Sequence, residues 1–275
     1  DFLKFKANWN PKTENIKEIV KELNIGIDSV VFVDDNPAER KIVRDYLPDV
    51  SVPEISLPEN YIRELDREGF FEITTLSSDD LQRNETYKQN SAREAAESSF
   101  TDYNEFLKSL TMVNHVGRFT DASIPRVTQL INKTNQFNFT TRRYTEDEIR
   151  EIAASDAYVT LWGRLEDKFG DNGIVTALIA SISGKRAVID LWVMSCRVFK
   201  RSLEYSMFNC LISELKKKGV EELIGLYRET KKNVILKDFY SDLGFTRMET
   251  EEEDYILSLN DYEQKDINSM EVVLE

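Results

Sequence analysis

The stretch 187-AVIDLWVMSCRVFKRSLEYSMFNCLISELKKKG-219 decides how the C-terminal half of this chain is read. Ala187 to Met194 is a strand-like apolar run, and Leu203 to Lys218 reads as a helix closed by Gly219. Between them lies Arg197-Val198-Phe199-Lys200-Arg201-Ser202. A loop that enters a helix N-terminus presents unpaired backbone N–H groups, and the helix dipole favours an anion there. The order strand, basic loop, helix is therefore expected to hold a phosphate-bearing ligand.

Working outward, Val113 to Phe119 predicts a strand, and Ser123 to Thr134 a helix. A second helix opens at Thr145, with Glu148 three residues on as a capping box. Strand-like runs follow near Ala157–Leu165 and Ile174–Ser183. After the quoted stretch come a strand (Leu223 to Arg228), a short helix (Val234 to Leu243, ended by Gly244), and strands near 245–249 and 254–259. The order is β-α-α-β-β-β-α-β-α-β-β, an α/β (α+β) arrangement.

Toward the N-terminus, Ile16, Ile19, Val20 and Leu23 recur at helical spacing, with Thr13 as the expected N-cap. Gly26 ends that helix. The run Val30-Val31-Phe32-Val33 is too apolar for a half-exposed strand and predicts a buried, parallel one. It stops at Asp34-Asp35-Asn36-Pro37, and a helix from about Ala38 to Tyr46 follows. Helix, buried strand, acidic turn, helix is a piece of a doubly wound sheet, in which ligands sit at strand carboxyl ends. The expected organisation is residues 1–77 as one domain, residues 78–110 as a polar helical connector, and residues 111–275 as a second domain. The connector ends in a Tyr103, Phe106, Leu107, Leu110 stripe.

Composition narrows the class. The chain has 275 residues, a hydrophobic fraction of 41% and a charged fraction of 31%, ordinary for a chain that buries a core. No apolar run approaches the ~18 residues of a membrane helix. The net charge of −14 disfavours nucleic acid. Its basic residues are nonetheless clustered, at Arg142-Arg143, Arg197 with Lys200-Arg201, and Lys216 to Lys218, which suits a small phosphorylated ligand or an acidic partner. With only Cys196 and Cys210 and one histidine, His115, a structural zinc site or disulfide framework is not expected, and a cytoplasmic, reducing setting is. The first residues carry no basic and apolar run, so a secretory signal is not expected. The absence of an initiating Met predicts that the chain starts inside a longer protein.

The 197–202 segment resembles the acyl-CoA pyrophosphate loop of the N-acetyltransferase superfamily, Gln/Arg-x-x-Gly-x-Gly/Ala. Arg197 fills the first position and Ser202 the last. Lys200 replaces the central Gly, which either forces a different turn or adds a phosphate-pairing charge. Asn233 and Phe239-Tyr240-Ser241-Asp242-Leu243-Gly244-Phe245 look like the superfamily's late signature. The resemblance implies that Asn233 borders the pantetheine and that Tyr240 protonates a leaving thiolate; a core aromatic is the other reading of Tyr240. Cys196 reads either as an acyl-accepting thiol beside Arg197 or as a small buried hydrophobe. Cys210 and His115 read as structural.

Asp34-Asp35 after a strand resembles haloacid-dehalogenase-like phosphatases, in which such carboxylates bind Mg²⁺. Lys12 matches the lysine that neutralises phosphate and nucleophile there. With Asn8-Trp9-Asn10-Pro11-Lys12 ahead, Asn36-Pro37-Ala38-Glu39-Arg40 behind, Asn132 to Asn138 with Thr140 to Arg143, and Asp167 to Gly173, nearly the whole chain is similar to the FkbH-like family. That family joins a haloacid-dehalogenase-like (IIIC) phosphatase domain to an N-acetyltransferase-like domain. The resemblance implies glyceryl transfer from 1,3-bisphosphoglycerate, a phosphorylated three-carbon substrate, to the phosphopantetheine of an acyl carrier protein. It also implies service to polyketide extender units such as methoxymalonyl. The nucleophile motif Asp-x-Asp-x-Thr is absent from the chain, so the chain alone is expected to lack turnover. A CoA-dependent N-acyltransferase and a non-catalytic carrier-docking module remain the competing expectations.

Overall fold

The computed structural model describes residues 2–23, 25–72, 83–249 and 254–275. The chain divides into two units, Asp1–Ala92 and Arg93–Glu275. Residues 78–82 of the expected connector lie outside the described residues.

In the first unit α1 is Lys12–Leu23 and α2 is Pro37–Tyr46. Thr13 does not cap α1, because the helix already includes Lys12. Helix α2 is capped as its sequence suggests: the Asn36 side chain accepts from the Ala38 N–H, and Pro37 takes the first position, where no N–H is needed. The apolar run at Val30 is less regular than expected. It makes one parallel bridge, Val31 to Ser51. Val30, Val31 and Phe32 are half-buried, and Val33 is 41% exposed. Pairing is parallel, but burial of a strand needs cover on both faces, and the described residues give it little. A small core of Ile16, Val43, Leu47 and Val50 packs α1 on α2. Pro58–Asn60 forms a 3₁₀ turn and α3 is Tyr61–Arg67.

Helix α4 (Arg83–Glu97) leads to α5 (Tyr103–Ser109), which Asp102 caps through the Glu105 N–H. Then come β1 (Met112–Gly117), α6 (Ile124–Lys133), β2 (Phe137–Asn138), α7 (Glu146–Ala154), β3 (Tyr158–Asp167), β4 (Gly170–Ser183), β5 (Arg186–Met194), α8 (Leu203–Lys217), β6 (Glu222–Leu226), α9 (Phe239–Asp242), β7 (Thr246–Arg247), β8 (Asp254–Ser258) and β9 (Met270–Leu274). The capping box at Thr145 and Glu148 is present in both directions. Helices stop where glycine permits a left-handed turn, at Gly219 (φ 75°) and Gly244 (φ 97°). The expected helix over Val234–Leu243 is instead a 3₁₀ turn, Val234–Leu236, followed by the single turn of α9.

The sheet runs β7-β8-β6-β5-β4-β3-β1-β9, with β2 attached to β5. Pairs β5–β6 and β1–β9 are parallel; the remaining pairs are antiparallel. Strand β5 shows why its run is apolar in both phases. Leu191 and Val193 enter the core under α6 and α7, while Trp192 and Met194 enter the larger core under α8 and α9. Strand order and helix placement are those of an N-acetyltransferase-like α/β fold. No helix among the described residues is long and apolar enough to cross a membrane.

Candidate functional site

The loop after β5 begins as a 3₁₀ turn, Cys196–Val198, with Val198 fully buried as its anchor. Cys196 is exposed, which sets aside its reading as a buried hydrophobe. The Arg197 Nε donates to Ser195 Oγ at 3.3 Å. Phe199 packs edge-on to Phe137, ring centroids 5.3 Å apart. Lys200 and Ser202 both adopt left-handed backbone, φ 67° and 65°. These are the two positions at which the superfamily pattern prefers glycine or a small residue. Lys200 takes up a left-handed conformation open to glycine, at a cost of about 1 kcal/mol. The Tyr103 hydroxyl donates to the Lys200 carbonyl at 3.2 Å, and the Lys200 ammonium lies 6.0 Å from the Phe199 ring centre.

Another cation of the loop goes elsewhere. Arg201 turns inward to within 3.6 Å of Asp167 Oδ2. Asp167, wholly buried, already accepts two hydrogen bonds from Arg93, at 2.6 and 2.9 Å. Burial, and then the Arg93 charge, push the Arg201 guanidinium below its ordinary range. Arg201 thus underpins the loop, while Lys200 faces outward.

One ionisable group at this place was not singled out from the sequence. Glu204, in the first turn of α8, is buried with one carboxylate oxygen unmatched among the described residues. Burial raises its pKa to about 7, against the opposing pull of its own N–H and Lys200. An acidic residue at a helix start is so ordinary that only the packing of Tyr103 and the loop distinguishes it. Cys210 is half-buried in α8, where burial lifts its thiol to about 11, consistent with a structural role.

The two residues of the late signature are interior. Asn233 is fully buried: its amide N–H groups donate to the carbonyls of Asn138 (2.8 Å) and Arg228 (3.0 Å), and its side-chain oxygen accepts from the Thr230 N–H (2.7 Å). That set of partners describes a staple between two chain segments. Tyr240 is 1% exposed and packs at a tilt against Phe139, ring centroids 4.6 Å apart. Among the described residues its hydroxyl has no hydrogen-bond partner, and burial, with Asp254 nearby, drives its pKa far upward. Gly225 is required beneath it, since a Cβ there would lie 2.6 Å from the ring.

In the first unit Lys12 donates to Asp34 Oδ2 at 2.6 Å, and Asp34 Oδ1 accepts from the Asn36 N–H at 2.9 Å. Burial tends to raise the Asp34 pKa, but Lys12 and Asn36 bring it below the usual range; Lys12 is raised in turn by Asp34. Arg40, itself buried, bonds the carbonyls of Asp34 (2.7 Å) and Asp35 (3.1 Å) and so shapes the turn. A Mg²⁺ ion needs about six oxygen ligands. Both Asp34 oxygens are engaged, and among the described residues no three His, Cys, Asp or Glu side chains converge as a metal site. A Mg²⁺ ion held by Asp34 and Asp35 would complete its shell with waters or substrate oxygens.

No protein-family model matches this chain, and no curated protein does. Among solved structures it is similar to the ribosomal-protein-S18-alanine N-acetyltransferase of Escherichia coli, at 16% identity over 52% of this chain and 91% of that one, TM-score 0.40. It is similar to a Mycobacterium tuberculosis protein solved with CoA, at 13% identity over 49% and 72%, TM-score 0.39. It is also similar to a phosphatase-domain part of a Bacteroides fragilis protein complexed with Mg, at 46% identity, TM-score 0.26. That likeness covers 26% of this chain and 19% of the other. By its own strand order and helix placement, the Arg93–Glu275 unit has an N-acetyltransferase-like fold.

Proposed function

We propose that this chain is part of a glyceryl-transferring enzyme of the FkbH-like kind, whose N-acetyltransferase-like domain receives the phosphopantetheine of an acyl carrier protein at residues 197–202. The observation that carries the reading is the pair of left-handed residues, Lys200 and Ser202, at the mouth of the 15-residue helix α8. Left-handed residues at alternate positions curve the main chain so that its N–H groups converge, which makes a seat for an anion. The helix dipole adds to that seat, and the outward Lys200 supplies a full charge.

The Lys12–Asp34–Asp35 corner is the second support. A lysine paired with a strand-end carboxylate is what a phosphatase-like centre uses to hold a phosphoryl group, and here the two sit 2.6 Å apart. On this reading the phosphorylated three-carbon substrate meets that corner, and the carrier thiol accepts the glyceryl unit. Magnesium chemistry at the corner would need ligands beyond Asp34 and Asp35.

The same anion seat suits the pyrophosphate of CoA, and the fold is one that CoA-dependent N-acyltransferases use, so this is the second reading. Calorimetric titration separates the two. Phosphopantetheinylated carrier is expected to bind at least tenfold more tightly than both the unmodified carrier and free CoA. Lys200→Glu, at an exposed position, should weaken that binding about tenfold, or about 1.4 kcal/mol, without lowering the melting temperature. Equal binding of modified and unmodified carrier would sink the proposal, and tight CoA binding with acyl transfer to an amine would favour the second reading.

A further inference from the structure

Strand β5 has two edges, and they are covered differently. Strand β4 pairs along it from Arg186 to Met194. Strand β6 pairs on the opposite edge only from Arg186 to Ile189, against Glu222–Gly225. Beyond Ile189 the two parallel strands part, and a gap opens in the sheet next to the 197–202 loop. A gap of this kind exposes a strand edge, and an exposed edge accepts extended, amide-bearing chains by strand addition. A pantetheine arm, with its two amides, is such a chain.

In this protein the gap is occupied by the chain itself. Strand β2 lies there antiparallel to β5, with Phe137 opposite Met194 and Asn138 opposite Val193. Thr140 Oγ1 extends the contact by donating to the Asp190 carbonyl at 2.8 Å. On the far side, the Arg228 N–H donates to the Phe139 carbonyl at 2.8 Å, and Asn233 to the Asn138 carbonyl at 2.8 Å. The segment thus bridges the parted strands. Phe137 and Phe139 both enter the main core, against Trp192 and Phe239, and Phe139 also meets Tyr240. Asn138 fixes the exit by accepting from the N–H of Thr141, which is left-handed at φ 56°. Nothing in this arrangement is a loose flap, because withdrawing the segment would uncover two core phenylalanines and break hydrogen bonds on both flanks.

We propose that residues 137–140 are a built-in strand that permanently fills the gap between β5 and β6. The domain then accepts no extended arm within its sheet. A ligand anchored by its phosphate at Lys200 and Ser202 leaves the thiol end of its arm outside the domain, open to a reaction centre elsewhere. This second step rests on the carrier-binding reading given above. It gives Asn233 and Tyr240 their observed work as staple and core.

Amide hydrogen exchange on the full chain tests the filled gap, first without ligand. The 137–140 amides and that of Arg228 should be protected to within about tenfold of the amides at the centre of β5; exchange at loop-like rates would overturn the proposal outright. The experiment is then repeated with saturating CoA and with phosphopantetheinylated carrier, while the carrier thiol is alkylated by a maleimide. Binding with unchanged exchange, and with alkylation within about threefold of the free carrier's rate, supports both the filled gap and the carrier reading. Binding with at least tenfold faster exchange of 137–140, or with a thiol protected tenfold, overturns the filled gap and leaves the carrier reading standing. Absence of binding by either ligand, with the segment protected, supports the filled gap and overturns the carrier reading.

Discussion

Tyr240 and Asn233 belong to the same short signature, yet they meet different fates inside the protein. Every polar group of the Asn233 side chain is matched, so its burial costs nothing unpaid in hydrogen bonds. The Tyr240 hydroxyl is buried without a partner among the described residues, and a group in that state is a liability of about 1–3 kcal/mol. Tyr240→Phe should therefore leave stability unchanged or raise it by about 1 kcal/mol, as read from urea unfolding midpoints. On the carrier-binding proposal it should also leave carrier loading unchanged. A loss of loading beyond tenfold at unchanged stability would return the residue to the thiolate-protonating role that its sequence context implies.

Helix α8 is the element on which the site depends, and its sequence foretells most of it. Leu203, Met207, Phe208, Leu211, Ile212 and Leu215 line the buried face. Glu204 breaks that order by placing a carboxylate in the interior at the helix start. Its folded pKa, about 7, lies above the ordinary glutamate value of 4.5. Between these two values the folded protein keeps a proton that the unfolded chain releases, so stability falls as pH rises through this window and levels off above about 7. Glu204→Gln removes that dependence. The variant should match the parent near pH 4.5 and exceed it by roughly 2 kcal/mol at pH 8, measured by guanidinium unfolding at both pH values. Equal stability of variant and parent at pH 8 would show that the carboxylate is solvated.

At the scale of the whole Arg93–Glu275 unit, the 197–202 loop is tied to distant chain by one buried carboxylate. Asp167, at the end of β3, holds Arg93 of α4 and draws in Arg201 of the loop. Removing its charge leaves two buried guanidinium groups to repel each other. Asp167→Asn should cost about 3–5 kcal/mol and lower the melting temperature accordingly. Adding Arg201→Met should recover a substantial part of the loss; a single variant that melts like the parent would mean that water already screens the cluster.

Local pattern carried a large share of this protein. The helices at Lys12, Pro37, Ile124, Glu146 and Leu203, the strands from β3 to β6, and the Thr145–Glu148 capping box all follow from periodicity and caps, since those signals act within a few residues. The sequence also raises residues 197–202 as a candidate anion seat, because a basic loop entering a helix is itself a local arrangement. Tertiary structure decided what depended on distant partners. Strand β2 has only Phe137 and Asn138, and β9 pairs with β1 across the length of the unit, so neither has a local signature. Val30 to Val33 read as buried, but burial is a property of neighbours. Lys200 keeps a left-handed turn within a loop that the Tyr103 hydroxyl meets from α5. Arg201 and Glu204 are charged residues by sequence and interior residues by packing. The filling of the gap beside β5 is decided last of all, because it requires two strands to part and a third, from far back in the chain, to enter between them.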